Sequence, residues 1–461
     1  MKYISTRGRT KPLGFQDAVI TGLAPDGGLL IPEPIPDVTD RLDEWSTLSY
    51  QEITFEILKL FVDIPDERLK KLIHRSYAPF SHREIAPATP VGQLQILELF
   101  YGPTLAFKDI ALQFLSNFFD YILDRTDRQL NILAATSGDT GSAAIHGVKG
   151  RERMHIFVMH PHERVAPLQE KQMTSVLDPN VFNLAIKGTF DDCQHIMKAL
   201  FQDLDFKTAY SLGAVNSVNW ARVLAQLVYY FSAGLYVLKR KNASGVRFAV
   251  PTGNFGDILA GYYAYRMGLP ITKLVLATNE NDILSRFFNT GIYQQGEVVP
   301  TISPSMDIQV ASNFERYLYY KMNEDSDTLR TLMEQFSDTQ KIQVPLGPDG
   351  KIDTLFGEGI GDKDHTLKTI KKYYEQHNYL LDPHTAVGVY VAEQYLNEKE
   401  PMICLATAHP AKFPRAIIEA TGKGPGHHQV IDAVMNAPTR CKVLPADEQV
   451  VRDFIEKHSV Q

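Results

Sequence analysis

The stretch FYGPTLAFKDIALQF at residues 100–114 places one lysine, Lys108, inside an otherwise apolar run. Apolar spacing predicts a helix that begins near this lysine, which would share one core-facing stripe with Leu112, Leu115 and Phe119. Burial and the positive end of the helix dipole both lower the pKa of an amine in that position. A neutral amine is a nucleophile that can bond to a carbonyl carbon. The alternative is a lysine whose stem packs while its ammonium group reaches the surface.

Two loops rich in small residues each join a predicted strand to a predicted helix. One is PTGNFGD at residues 251–257, and the other begins the segment SGDTGSAAIHG at residues 137–147. Backbone N–H groups in such a loop, with the N-terminus of the next helix, can bind an anion. Ser137 and Thr140 add hydroxyl donors, whereas Asp139 would repel an anion unless its side chain turned aside. Either loop could instead be a tight turn with a capping aspartate, but two of them favour a site for two anions.

The segment NSVNWAR is a third polar group near a predicted helix start. It contains Asn216, Asn219 and Arg222, which could bind an anion or cap the helix. His384 and His409 lie in loop-like sequence, and lone histidines of this kind are more often hydrogen-bonded structural residues. The sequence lacks a G-x-S-x-G elbow, an HExxH zinc helix and a dinucleotide fingerprint, which argues against the enzyme classes that use them.

The loops follow strands in a chain where strands and helices alternate. Helices are predicted at 50–63, 66–77 and 219–241, and strands are predicted at 130–136, 154–160, 181–188, 246–253, 271–278 and 402–410. Alternation of this kind predicts open, mostly parallel sheets, with one α/β lobe before the helical region 219–241 and one after it. Ligands of such sheets bind beyond the carboxyl ends of the strands, which is where the polar loops lie.

Composition limits the class of protein. The chain has 461 residues, of which 44% are hydrophobic and 22% charged, with a formal net charge of −7, so a basic nucleic-acid surface is not indicated. Three distant cysteines suit neither a disulfide framework nor a cysteine-rich zinc site. The first residues lack the apolar core of a secretory signal, and the apolar stretch 225–238 is shorter than the about 20 residues that a membrane helix needs. We therefore expect a cytoplasmic protein that does not enter a membrane.

A set of motifs resembles one enzyme family, the threonine synthases, in the longer form with an N-terminal extension. The motifs run in the family's order from residue 3 to about 415, and they are STRG, APDGGLLIPE, YGPTLAFKD, ATSGDTGSAA, NSVNWAR, PTGNFGDILAG, PSMDIQVASNFER, DPHTAVG and ATAHPAKF. The resemblance implies the tryptophan-synthase-β-like fold (fold type II), with pyridoxal 5′-phosphate (PLP) between two open, mostly parallel α/β lobes. It also implies the limits 1–85 for the N-terminal domain, 86–425 for the catalytic core and 426–461 for a C-terminal tail.

The resemblance assigns roles to particular residues. It makes Lys108 the catalytic lysine that bonds to the cofactor, and it makes Thr407 the contact of the pyridine nitrogen. The family's phosphate loop corresponds to Gly253, Asn254, Phe255, Gly256 and Asp257. Candidates for the substrate are Ser137 and Thr140 for its carboxylate, and Arg222 with Asn216 or Asn219 for its phosphate. Many relatives of the fold have asparagine where this chain has Asp139, so the contact of that residue with the cofactor's phenolic oxygen is left open.

The implied reaction converts O-phospho-L-homoserine and water into L-threonine and phosphate. Lys108 would move the α- and β-protons, phosphate would leave the γ-carbon, and water would add at the β-carbon. The alternative is a threonine-synthase-like phospholyase, which eliminates phosphate from a phosphorylated amino acid without that hydration. The expected partner is a small-molecule substrate, with neither nucleic acid nor membrane, and the sequence leaves the oligomeric state open.

Overall fold

Two open, mostly parallel sheets form the body of the protein, as the alternation of strands and helices predicts. The computed structural model describes residues 1–136 and 138–460. Its strands are β1 Lys2–Ser5, β2 Leu30–Glu33, β3 Ala88–Val91, β4 Leu94–Glu98, β5 Leu130–Ala135, β6 Met154–Pro161, β7 Val181–Lys187, β8 Leu212–Gly213, β9 Val246–Pro251, β10 Ile271–Thr278, β11 Ile292–Gln294, β12 Lys341–Gln343, β13 Phe356–Ile360, β14 Met402–Ala406 and β15 Lys442–Pro445.

Helices cover both sheets and build the N-terminal unit. They are α1 Phe15–Thr21, α2 Leu42–Trp45, α3 Tyr50–Leu58, α4 Asp66–Tyr77, α5 Lys108–Thr126, α6 Asp139–Val148, α7 Pro167–Thr174, α8 Phe190–Gln202, α9 Leu204–Ala209, α10 Trp220–Lys241, α11 Gly256–Arg266, α12 Ile283–Thr290, α13 Phe314–Lys321, α14 Ser326–Thr339, α15 Lys363–His377, α16 Pro383–Glu393, α17 Pro414–Thr421, α18 Gln429–Asn436 and α19 Glu448–His458. Short 3-10 turns lie at Thr39–Arg41, Pro304–Met306 and Pro410–Lys412.

The first lobe is a five-stranded parallel sheet in the order β15-β7-β6-β5-β8. Its inner strands are short apolar runs, such as LNILAA in β5, whose Ile132 and Leu133 are fully buried between helices on the two faces. The outer strand β15 comes from the end of the chain and pairs with β7 in parallel, with Lys442 opposite Leu184. Residues after 425 therefore contribute a strand to this lobe, and α19 packs against α8.

The second lobe is a six-stranded sheet in the order β13-β10-β9-β14-β4-β3, parallel except for the antiparallel edge pair β3–β4. β4 pairs with β14, more than 300 positions later, with Leu94 opposite Met402. The strands are thus not divided before and after α10 as the sequence suggested, because β4 precedes α10 and β15 follows it. Local apolar patterns predict a strand but not its partner, which is chosen by register and by the packing of the whole lobe.

Helix α10 is the central core helix, packed against α3, α5 and α11. At 22 residues, its length and hydropathy would suit a membrane crossing, so the expectation that this region is too short was wrong. Its burial shows that it is a core helix, since 89% of its most apolar 18-residue stretch lies inside the protein. Helix α5 starts at Lys108, as predicted, and its residues Leu112, Leu115 and Phe119 lie in the core.

A buried arginine, Arg316 in α13, helps to join the N-terminal unit to the second lobe, and its side chain is 0% exposed. Its guanidinium donates to the carbonyl of Leu30 at 2.9 Å, to that of Val218 at 2.6 Å, and to Asn313 Oδ1 at 2.6 Å. These acceptors belong to strand β2, to the segment before α10, and to the turn that opens α13. One side chain therefore fixes three distant pieces of chain.

We expect Arg316→Met to lower the free energy of unfolding by about 3 kcal/mol or more, since three buried acceptors lose their donor and each costs about 1–3 kcal/mol. Denaturant unfolding of the purified protein measures this change. Arg9→Met is the control, because Arg9 is exposed and should change stability by less than about 0.5 kcal/mol. Equal stability of the two variants would contradict the assignment.

Candidate active site

The amine of Lys108 lies where the two lobes meet. Its Nζ is 4.0 Å from Asp139 Oδ2 at the start of α6, in the first lobe. On the other side it donates to Ser305 Oγ at 3.4 Å, in the turn Pro304–Met306. Lys108 is 9% exposed. The structure therefore rejects the surface-lysine alternative and places the amine in a buried cleft beyond the strand ends.

The backbone before α5 is clamped to the segment that follows β14. The amide of Phe107 donates to the carbonyl of Thr407 at 2.9 Å, and the amide of His409 donates to the carbonyl of Leu105 at 3.0 Å. Leu105 adopts a φ of 60°, which a bulky side chain rarely does and which this double link holds. Because the link flanks Lys108 directly, it sets where the amine points.

Asp109 closes the turn before the helix. Its carboxylate accepts from the amide and the hydroxyl of Thr104, at 2.8 and 2.7 Å. Gly102 is required beside it, since a Cβ there would come within 2.4 Å of the Asp109 Cβ. Asp109 therefore shapes the approach to Lys108 and does not touch the lysine amine.

The surroundings of Lys108 favour a neutral amine. Burial lowers the pKa of Lys108, and the positive charges of Lys412 and Arg222 lower it further, against the opposing effect of Asp139. Two buried cationic side chains, Lys412 and Arg222, therefore lie near this amine, together with the carboxylate of Asp139. Buried cationic groups of this kind suit an anionic ligand.

The Asp139 side chain is turned away from the loop that precedes α6 and binds other side chains. An anion in that loop would require this orientation, because the carboxylate would otherwise repel it. Asp139 Oδ1 forms an ion pair with Lys412 Nζ at 2.8 Å and accepts from Gln169 Nε2 at 3.0 Å. Burial alone would raise the pKa of Asp139, but the charges of Lys412 and Lys108 outweigh it and hold the pKa well below its ordinary value. Lys412 was not among the predicted residues, although it lies in the segment ATAHPAKF that was singled out.

The loop between β9 and α11 forms a close backbone cradle. Asn254 Oδ1 accepts from the amide of Gly256 at 3.0 Å, and the Asn254 carbonyl accepts from the amide of Asn313 at 3.0 Å. A Cβ on Gly253 would lie 2.8 Å from the carbonyl oxygen of Ser305. The side chain of Phe255 points into an aromatic core, so only the backbone of this residue can serve a ligand.

Asp257 does not cap α11, the simple alternative for this loop. Its Oδ1 accepts from the hydroxyls of Tyr229 at 2.5 Å and Tyr230 at 3.0 Å. Its Oδ2 has no hydrogen-bond partner among residues 1–136 and 138–460. Burial raises the pKa of Asp257 to about 6, although both tyrosine hydrogen bonds and Lys108 oppose the rise.

Arg222 is 4% exposed and lies close enough for its charge to act on Lys108. It donates to the carbonyl of Val215 at 3.3 Å, while its Nε has no partner in the described part of the chain. Burial lowers the pKa of Arg222 to about 10. A buried guanidinium with this unused donor is suited to a second anion.

Of the other predicted residues, one lies in the cleft and the others stabilise a helix, are more exposed or are not described. Asn219 caps α10, with Oδ1 accepting from Ala221 at 3.1 Å and Nδ2 donating to Val19 at 2.8 Å. Asn216 is exposed, Thr140 is half-buried in α6, and Ser137 lies outside the described residues. Thr407 joins the cleft through its backbone link to Phe107.

Ser305 and His384 are two further residues of the cleft that sequence reasoning did not assign to it. His384 Nε2 accepts from the amide of Ser305 at 3.1 Å, and its Nδ1 bonds to Asp382 Oδ1 at 2.9 Å. His384 is thus a hydrogen-bonded structural histidine, as expected, and it holds the turn that carries the Ser305 hydroxyl to Lys108. The motif PSMD contained the only signal for Ser305.

The chain matches three family descriptions. Residues 2–77 match "Threonine synthase N terminus", residues 92–345 match "Pyridoxal-phosphate dependent enzyme", and residues 385–455 match "Threonine synthase, C-terminal".

Individual relatives cover nearly the whole chain. Threonine synthase of Pseudomonas aeruginosa is 43% identical over 464 residues, which include 99% of this chain and 98% of that protein. Threonine synthase of Schizosaccharomyces pombe is 45% identical over 456 residues, covering 90% of this chain and 88% of that protein. A crystal structure of PLP-bound threonine synthase from Brucella melitensis superposes with a TM-score of 0.96 at 43% identity, covering 100% of both chains.

We expect Asp257→Asn to stabilise the ligand-free protein at pH 8 by up to about 3 kcal/mol, because folding raises the pKa of this carboxyl from 3.8 to about 6. A folded-state pKa above the unfolded one means that ionisation opposes folding above pH 6. The advantage of the variant therefore shrinks as pH falls through 6 and vanishes near 4. Denaturant unfolding at several pH values measures it.

Asp124→Asn is the control, since Asp124 is exposed on α5. It should leave the pH dependence of stability unchanged. An advantage of Asp257→Asn that is equal at pH 8 and pH 4 would contradict the role of ionisation.

Proposed function

Since the chain belongs to the threonine synthase family, we propose that it converts O-phospho-L-homoserine and water into L-threonine and phosphate, with PLP as its cofactor. The observation that carries this proposal is the buried amine of Lys108, which lies between the lobes near the cationic side chains of Lys412 and Arg222. A neutral lysine amine with buried cations near it is what an aldehyde cofactor and two phosphate groups require.

The residues present fit PLP. Lys108 supplies the amine for the aldehyde, and the amides at the start of α11 supply donors for the phosphate. The close approach of Gly253 to Ser305 leaves no room for a side chain in that cradle. We assign the phosphate to the backbone of residues 253–257 and the pyridine nitrogen to Thr407. When bound, PLP supplies the electron sink that makes the α- and β-protons of the substrate acidic.

Lys108 then acts as the base and the acid of the reaction. Its lowered pKa leaves a lone pair on Nζ that can accept the α-proton and afterwards the β-proton of the substrate. Asp139 Oδ2, 4.0 Å away, stabilises the ammonium that each proton transfer creates. Burial of the cleft between the lobes limits the access of water to these protonated states.

We propose that Arg222 binds the phosphate of the substrate. Its unused Nε and its low exposure support this, because a phosphate would supply the missing acceptor and charge. Asn219 caps α10 with Oδ1 and donates to the Val19 carbonyl with Nδ2, so this residue would act by fixing the start of α10. Asn216 remains a candidate for the same phosphate, and Thr140 and Ser137 remain candidates for the carboxylate.

The remaining predictions concern organisation. We retain 1–85, 86–425 and 426–461 as proposed units, with the last one contributing β15 and α19 to the first lobe. We also propose that the protein acts on a small molecule in the cytoplasm.

Purified protein given PLP should absorb in the visible range and release L-threonine and phosphate from O-phospho-L-homoserine. Lys108→Ala should abolish both the absorbance and turnover, because it removes the only group assigned to proton transfer. Spectra, phosphate assay and amino-acid analysis measure these outcomes. Lys70→Ala is the control, since Lys70 is an exposed residue of α4. Formation of 2-oxobutyrate alone would identify a phospholyase, and an active, colourless protein would refute the use of PLP.

Arg222→Gln should raise the KM for O-phospho-L-homoserine by about 10- to 100-fold, since a hydrogen bond to a charged group contributes about 1.5–3 kcal/mol. Steady-state kinetics at saturating PLP measure this change. Arg240→Gln is a matched control on the same helix, where Arg240 is exposed and its guanidinium donates to the hydroxyl of Tyr236. An unchanged KM with weaker PLP binding would instead assign Arg222 to the cofactor.

A further inference from the structure

We propose that Lys412 is a positioning residue that shares the carboxylate of Asp139 with Lys108 and thereby keeps the Lys108 amine neutral and reactive. The inference deepens the proposed function and rests on the role given there to Lys108. It concerns a lysine that does not reach the reacting atoms and acts through Asp139.

The carboxylate of Asp139 lies near two lysines, Lys412 and Lys108, at different distances. Lys412 Nζ lies 2.8 Å from Asp139 Oδ1, whereas Lys108 Nζ lies 4.0 Å from Oδ2. The first distance is that of a close ion pair, and the second is at the outer limit of one. The Lys412 side chain is 0% exposed, so no solvent competes for it. Asp139 therefore interacts more closely with Lys412 than with Lys108.

Two further contacts keep this unequal division in place. Lys412 Nζ also donates to the carbonyl of Thr104 at 2.7 Å, and Thr104 is the residue whose amide and hydroxyl hold Asp109. Gln169 Nε2 donates to Asp139 Oδ1 at 3.0 Å, the oxygen that Lys412 uses. The carboxylate cannot move toward Lys108 without losing the ion pair with Lys412 and the hydrogen bond from Gln169. Lys412 is thus tied to the turn before Lys108 and to the carboxylate beyond it.

Removal of Lys412 has a predictable electrostatic result. Asp139 would keep its charge with Lys108 as its nearest cation, and an opposite charge within about 4–6 Å favours the ammonium form. Removal of Asp139 has the opposite result, because Lys108 loses its nearest carboxylate while Lys412 and Arg222 still act on it. The charged and titratable groups that face this cluster from the surrounding elements are Asp109, His146, Arg222, Asp257, His384 and His409. They are the same in all variants, so they do not alter the direction of either change.

The test measures how readily Lys108 captures PLP as a function of pH. The Lys108 amine adds to the aldehyde carbon of PLP and water leaves, a step that requires the neutral amine and yields a visible chromophore. Cofactor-free protein is mixed with PLP, and the rate of appearance of the chromophore is followed from pH 6 to pH 10. Borohydride reduction and peptide mass then verify that the adduct is on Lys108. The ionisations of PLP itself are common to all variants.

Lys412→Met should move the midpoint of the pH–rate profile upward by about 1 to 3 pH units, the range that one nearby charge produces. Asp139→Asn should move it downward, and the double variant should return it toward the wild-type value. Lys412→Arg keeps the charge and should restore most of the wild-type midpoint. A packing defect would lower thermal stability but would not shift the two single variants in opposite directions.

Lys363→Met is the matched control, since Lys363 forms an exposed ion pair with Glu419 at 2.7 Å. It should leave the midpoint unchanged. A wild-type midpoint in Lys412→Met overturns the inference, and so does an unshifted Asp139→Asn, which decides the matter if Lys412→Met fails to fold. A wild-type protein that forms no reducible adduct overturns the proposed function as well, whereas normal capture with unshifted variants overturns this inference alone.

Discussion

The active site depends on one buried carboxylate, Asp139, that serves two lysines unequally. A buried charge without a partner is costly, and a pair of equal partners would leave Lys108 as an inert ammonium. The close ion pair with Lys412 partners the carboxylate, and the longer distance to Lys108 is suited to the reactive amine that we propose. The roles proposed for Lys108 and Asp139 therefore depend on a difference between two distances.

That difference depends on how two remote segments of backbone meet. The turn before α5 and the segment after β14 exchange two hydrogen bonds just before Lys108, through Phe107 with Thr407 and through Leu105 with His409. The same segment continues into Lys412, so the lysine that holds Asp139 and the clamp that aims Lys108 are parts of one piece of chain. Pairing of β4 with β14 in the sheet brings these pieces together. The geometry of the amine is thus a consequence of sheet register.

A second chain of hydrogen bonds connects the N-terminal unit to the same cleft. Arg316 joins the carbonyl of Leu30 to Asn313, and the amide of Asn313 bonds to the carbonyl of Asn254 in the loop before α11. The cradle assigned to the cofactor phosphate is therefore supported from outside by the extension that distinguishes the longer form of the family. Because these groups are buried, loosening any one of them leaves another without a partner.

The sequence alone determined those features that depend on neighbouring residues. It predicted the start of α5 at Lys108, the apolar stripe below it, most of the strands and the two small-residue loops, because helix and strand periodicity are local properties. The ordered motifs added the family. Tertiary structure decided the rest: that β4 pairs with β14, that α10 is a core helix despite its length, and that Asp257 bonds to two tyrosines instead of capping its helix. Tertiary structure also places Lys412 where it forms the ion pair with Asp139. These outcomes join residues up to hundreds of positions apart, and neither spacing nor residue type encodes which distant groups will share a buried space.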